Sequence, residues 1–60
     1  MEEIRDKASE LTPMELIKQY KHKVENVDGG DGDWCITMFI NNSFVFIKYL
    51  NDKLVRCVSK

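Results

Sequence analysis

Histidine and cysteine, the residues on which most catalytic and metal sites depend, are scarce in this sequence. The 60 residues include one histidine, His22, and two cysteines, Cys35 and Cys57. A structural zinc site needs four ligands, and nucleophilic catalysis needs a nucleophile, a base and a group that orients the base. The sequence offers neither set. It therefore predicts a protein that is not an enzyme and that binds no cofactor or metal ion.

Long apolar runs are missing too. No segment approaches the roughly 20 apolar residues of a membrane-spanning helix. The N-terminus, in which residues 2, 3, 5 and 6 are charged, lacks the apolar stretch of a signal peptide. These features predict a cytoplasmic protein that does not associate with membranes and whose thiols stay reduced.

What the sequence does contain is typical of one small ordered domain spanning residues 1–60. Hydrophobic residues make up 43% of the chain and charged residues 32%, as in ordinary globular proteins. Small domains bury little surface and often gain stability by oligomerisation. Charge is unevenly spread, because residues 1–33 hold five cations against nine acids and residues 34–60 hold four cations against one acid.

The start of a helix is the best-specified local feature. Thr12 suits the N-cap, and Pro13 suits the first helical position, where its missing N–H costs nothing. Glu15 can complete a capping box with Thr12, and Leu11 can pack on Leu16 as a hydrophobic staple. These independent signals agree on one boundary.

The predicted helix covers residues 13–25, with His22 on its outer side. Gly29 or Gly30 would close it in the left-handed conformation that ends many helices, and residues 28–33 would form a loop. Residues 1–11 carry a weaker helical pattern and would form either a frayed segment or a separate short helix. Apolar residues at helical spacing mark the buried stripe of the main helix: Leu16, Ile17, Tyr20, Val24 and Val27.

Residues 34–60 are rich in β-branched and aromatic side chains, which favour strands. We predict three strands, over residues 34–40, 43–50 and 53–59, joined by two-residue turns at Asn41-Asn42 and Asn51-Asp52. Such short turns make neighbouring strands antiparallel. The expected fold is α+β, an N-terminal helix packed on a three-stranded antiparallel β-meander. Strand 34–40 would form an uncharged edge, open to pairing with another strand.

Alternation of side chains divides this sheet into two faces. One face is apolar and would form the core against the helix. The other should be polar if it is open to water, yet Phe39, Phe44 and Phe46 fall on it. A patch of this size is unusual on a monomer. Either the N-terminal segment folds over this second face or a partner covers it.

Both cysteines are predicted on that second face, Cys57 in a cross-strand row with Thr37 and Phe46. Cys35 and Cys57 lie on the two strands that flank the central one, which puts their Cα atoms about 9 to 12 Å apart. A disulfide needs a separation below about 7 Å. We therefore expect two free thiols.

The apolar second face suggests a small non-enzymatic protein-binding module, such as a regulator, an inhibitor or an accessory subunit. Its partner would be a second copy, since two-fold dimers are the commonest oligomers, or another protein. The alternative is a nucleic-acid-binding αβββ domain whose basic sheet residues, Lys48, Lys53, Arg56 and Lys60, contact phosphates. The predicted partner-binding residues are Phe39, Phe44, Phe46, Val55, Lys48 and Lys53.

The capping box gives a first prediction. Replacing Thr12 with alanine removes the side-chain acceptor from the helix start, so we expect the free energy of unfolding to fall by roughly 1 kcal/mol. Thermal or urea unfolding measures this change. A melting temperature equal to that of the wild type would place the start of the helix elsewhere.

Overall fold

A computed structural model describes residues 2–60 of the chain, with side chains from residue 4 onward. Two helices precede four strands: α1 (Glu2–Glu10), α2 (Pro13–Gln19), β1 (Val24–Gly30), β2 (Asp33–Ile40), β3 (Ser43–Leu50) and β4 (Lys53–Ser59). Neighbouring strands are antiparallel, and their order in the sheet follows the chain. The α+β class is confirmed, but the sheet has four strands where three were predicted. Within residues 2–60, neither helix is long and apolar enough to cross a membrane.

The predicted start of the main helix is confirmed. The Glu15 N–H donates to Thr12 Oγ1 at 3.3 Å, and the Thr12 N–H donates to Glu15 Oε1 at 3.2 Å. Pro13 occupies the first position of α2. Leu16 is fully buried and Leu11 packs against the same core. The capping box therefore satisfies two N–H groups at the helix start, and Pro13 has no N–H to satisfy.

The predicted end of that helix at residue 25 is wrong. α2 ends at Gln19, and Val24 and Val27 belong to β1. β1 pairs with β2 along the uncharged strand that was predicted to form an edge. Pairing satisfies a row of backbone N–H and C=O groups that would otherwise be unpaired, and valine loses less side-chain freedom in a strand than in a helix. Tertiary pairing thus outweighs the helical spacing of the valines.

Three hairpin turns connect the strands, and both predicted turns are confirmed. Each turn has positive φ at both central residues, between 50° and 90°, as type I′ turns require. The turn that follows β1 was predicted as part of a loop. The three turns are Asp31-Gly32, Asn41-Asn42 and Asn51-Asp52.

The prediction that Gly29 or Gly30 would end a helix is wrong, because both lie in strand β1 of a hairpin. Gly29 lies opposite Trp34, with φ of 115°. A Cβ at this position would collide with the Asp33 carbonyl oxygen. Only glycine allows the two strands to approach this closely.

The core lies between the helices and one face of the sheet. α1 contributes Ile4 and Ala8 to it and α2 contributes Leu16. The N-terminal segment therefore packs beside α2 and does not fold over the second face of the sheet. The sheet contributes the remaining buried core residues: Ile36, Met38, Val45, Ile47 and Tyr49.

Two polar contacts tie α1 to this side of the sheet. The buried Tyr49 hydroxyl donates to the Ala8 carbonyl at 2.6 Å. That carbonyl lies in the last turn of α1, where helical carbonyls lack partners within the helix. The Arg5 guanidinium donates to the Cys57 carbonyl at 3.1 Å. Phe44 and Lys60 exchange two backbone hydrogen bonds, and such pairs alternate with non-bonded pairs along β3 and β4. Cys57 and Ile47 form a non-bonded pair, so the Cys57 carbonyl points outward from the β4 edge.

Burial, and in addition the nearby Cys57, raises the pKa of Tyr49 to about 12. Because this value lies above the ordinary pKa of 10, the folded state opposes ionisation of the phenol. The resulting stabilisation is fully present below pH 10 and is lost as the pH rises toward 12.

Replacing Tyr49 with phenylalanine tests this contact. We expect the free energy of unfolding at neutral pH to fall by about 1–2 kcal/mol, because the Ala8 carbonyl loses its donor inside the core. The loss of stability above pH 10 should be steeper in the wild type than in the variant, as urea unfolding at several pH values would show. Parallel pH profiles for the two proteins would contradict the assignment.

Candidate functional site

The face of the sheet turned away from both helices, here called the open face, is built by alternation. In β2 and β3 every second residue is buried or half-buried on the helix side, and the residues between them point to the other side. Cross-strand register then assigns the neighbours on β1 and β4. The open face comprises Asn26, Asp28, Asp33, Cys35, Thr37, Phe39, Phe44, Phe46, Lys48, Leu50, Lys53, Arg56, Val58 and Lys60.

Three phenylalanines form an apolar cluster on the two central strands of the open face. Phe39 lies opposite Phe44, as predicted, with ring centroids 4.9 Å apart. Phe44 stacks on Phe46 with centroids 6.4 Å apart. The side chains remain 40%, 46% and 40% exposed for Phe39, Phe44 and Phe46 respectively, and Leu50 on the same face is 43% exposed. The residues that the structure describes therefore leave this aromatic cluster uncovered.

The predicted register of β4 is wrong beyond Leu54. Leu54 pairs with Tyr49, but Arg56 pairs with Lys48, so Val55 is the extra residue of a β-bulge. One inserted residue moves every later side chain to the opposite face. Cys57 therefore lies on the helix side, opposite Ile47.

Five of the six predicted partner-binding residues lie on the open face: Phe39, Phe44, Phe46, Lys48 and Lys53. The sixth, Val55, is 52% exposed in the bulge and has no cross-strand partner. The predicted row of Thr37 and Phe46 is completed by Val58, in place of Cys57.

Strand β1 brings residues to the open face that the sequence analysis missed. Asn26 lies opposite Thr37 and Asp28 lies opposite Cys35. The signal that could have found them is the Asp31-Gly32 dipeptide, because Asp-Gly is among the strongest hairpin signals in a sequence. Treating it as a hairpin turn would have placed a strand before it.

Charge on the open face is divided between its two halves. The acids Asp28 and Asp33 lie on β1 and β2, whereas the four cations lie on β3, β4 and the residue after β4. Lys48 and Arg56 are directly opposite each other and both exposed. Like charges in this position destabilise a sheet, so the isolated chain retains a repulsion that an acidic partner would relieve.

An open concavity of about 360 Å³ lies over the basic half of this face. Phe46 and Val58 give it an apolar floor, and Lys48, Arg56 and Lys60 supply positive charge. Cys35, a free and exposed thiol, lies at the same place. The chemistry offered is aromatic contact beside cations, which suits a partner with apolar groups and carboxylates or phosphates.

The remaining candidates for chemistry lie elsewhere. His22 is exposed in the turn between α2 and β1, and Cys57 is a half-buried free thiol on the helix side of the sheet. Among the residues that the structure describes, no group of three or more His, Cys, Asp or Glu side chains is arranged to hold a metal ion.

Comparison with protein families, with curated proteins and with solved structures finds no match for this chain.

Reversing the charge of Lys48 tests the cross-strand repulsion. Lys48→Glu places opposite charges in the pair with Arg56, so we expect the free energy of unfolding to rise by about 0.2–1 kcal/mol. Urea unfolding at low protein concentration measures it, with Lys21→Glu in the turn before β1 as the matched charge change off this face. A Lys48→Glu variant no more stable than the wild type would mean that the two side chains diverge.

Proposed function

We propose that this chain is a small non-enzymatic protein-binding module, a regulator, an inhibitor or an accessory subunit, that acts through the open face. The observation that carries the proposal is the cluster of Phe39, Phe44 and Phe46, each 40–46% exposed on the face that both helices leave uncovered. Contiguous apolar patches of this kind mark protein contact sites.

The arrangement of the open face supports a protein partner. Protein interfaces are enriched in aromatic residues, and here three phenylalanines lie on the two central strands with four cations on the same face. Completing the burial of each phenylalanine would contribute roughly 1 kcal/mol, in proportion to its exposed fraction. This gain is modest against the entropic cost of association, so we propose a reversible complex. A cytoplasmic setting, also proposed, would keep Cys35 on this face reduced.

Nucleic-acid binding is the second candidate, favoured by one observation. The concavity on the open face combines Phe46 with Lys48, Arg56 and Lys60, and single-stranded nucleic acids bind aromatic platforms flanked by cations. Two features count against it. Asp28 and Asp33 share the face, and the whole chain has a net charge of -1, which is a poor electrostatic footprint for a polyanion.

Phe46→Asp tests the proposed function. A carboxylate at the centre of the open face should abolish protein association, self or otherwise, while leaving the fold intact, because the side chain is 40% exposed. Light scattering and capture from an extract of the native host would measure association, and circular dichroism would measure the fold. Met14→Asp is the matched control, since Met14 is 57% exposed on α2, away from the open face.

Two results would contradict the proposal. One is a folded Phe46→Asp variant that associates as the wild type does. The other is tight binding of a labelled single-stranded RNA or DNA that weakens steeply between about 0.05 and 0.2 M salt, which marks phosphate contacts.

A further inference from the structure

Resting on the proposed function, we propose that the open face is occupied by a second copy of this chain. The two sheets stack face to face about a two-fold axis that lies between them and runs parallel to the strands. The inference comes from the pattern of charge across the face, which is complementary to itself in this orientation.

This axis reverses the order of the strands in the second copy. It leaves positions along the strands unchanged, so each row of cross-strand neighbours lies over the same row of the other copy. β4 of the second copy then lies over β1, and β3 lies over β2. One row reads Asp28, Cys35, Lys48 and Arg56 from β1 to β4. Asp28 therefore faces Arg56 of the second copy, and the symmetry repeats the pair. The other acid, Asp33, shares a row with Leu50 and Lys53, so it faces Leu50 of the second copy and lies one strand from its Lys53.

The same axis brings the aromatic residues together. Phe39 on β2 and Phe44 on β3 share a row, so Phe39 faces Phe44 of the second copy, twice. Phe46 faces Thr37, which shares its row. The exposed area left on Phe39 and Phe44 is thereby buried against rings of the other copy, and that on Phe46 is buried against Thr37.

A two-fold axis perpendicular to the strands gives the opposite result. It places β4 over β4 and β3 over β3 and inverts the order of the rows. Lys53 then faces Lys60, Lys48 faces Phe46, and no acid faces a cation. It also carries the end of the sheet with Phe39 and Phe44 over the end with Asp33 and Leu50. Charge and aromatic contact thus select the same axis independently.

The size of the face fits a weak but specific dimer. Four strands about 4.8 Å apart and seven residues of about 3.3 Å each give a projected area of about 440 Å² per copy. The uneven surface of the side chains adds to this area, so the area buried on both copies together approaches the ~1,000 Å² expected of a specific interface. Aligned sheets cross at about 30°, which displaces the outer strands by about 4 Å, within reach of the arginine side chain.

A charge-swap series tests the arrangement. Light scattering or sedimentation would measure the dimer dissociation constant from about 10 µM to 1 mM chain. Arg56→Asp and Asp28→Arg each create like-charge contacts, so each should raise the constant about tenfold or more. The double variant restores opposite charges and should return within about threefold of the wild type. Lys21→Asp, off the face, should change nothing, and circular dichroism would confirm that each variant is folded.

Crosslinking gives a second readout from a native thiol. Sheets about 10 Å apart, with Cys35 one strand from the axis on each copy, put the two Cys35 Cα atoms about 11 Å apart. A bismaleimide with a spacer of matching length should link Cys57→Ser chains into covalent dimers. Cys35→Ser chains, whose remaining thiol lies on the helix side, should stay monomeric under the same conditions.

The outcomes separate this inference from the proposed function. A wild type that stays monomeric at about 1 mM, or a double variant as weak as the single ones, overturns the parallel two-fold dimer while Phe46→Asp still tests the face for another protein. A dimer that survives Phe46→Asp overturns both. Restoration by the double variant together with Cys35-dependent crosslinking supports the dimer.

Discussion

Register is the constraint on which this structure depends, and the three two-residue turns hold it. Each turn needs positive φ at both central residues, which Asn, Asp and Gly adopt at small cost. A shift of one residue in any hairpin would exchange the two faces of a strand. The phenylalanines would then enter the helix layer and the buried core residues would face outward. Local turn chemistry therefore decides which side chains are displayed.

Sequence patterns predicted the parts of the fold that follow from local chemistry and missed those that follow from irregular pairing. The cap at Thr12, two of the turns and the strands over residues 43–50 and 53–59 are specified locally. Val24 and Val27 both lie on the helix side of the sheet, three residues apart, because a register shift follows Val24. That spacing is also the spacing of a helix, so periodicity alone favoured the wrong element.

The bulge at Val55 had the same effect on the candidate site. It places Leu54 and Cys57 on one face, and no feature of the local sequence indicates a β-bulge there. The central part of the site, Phe39, Phe44 and Phe46, was predictable because its two strands pair without interruption. The acidic half was not, since it depends on β1. The position of α1 was not predictable either, because polar contacts from Arg5 and Tyr49 fix it on the core side.

The contact between Arg5 and the Cys57 carbonyl also bears on how far association can proceed. Exposed sheet edges can recruit further strands without limit and so lead to fibres. Here the outward carbonyl of β4 is occupied by the guanidinium, and the bulge at Val55 twists the same edge away from a regular ladder. Strand addition at the β4 edge is thereby hindered, whereas the proposed stacking through a single face would end once two faces meet. If the proposed dimer forms, the assembly would therefore stop at two copies on the side of β4.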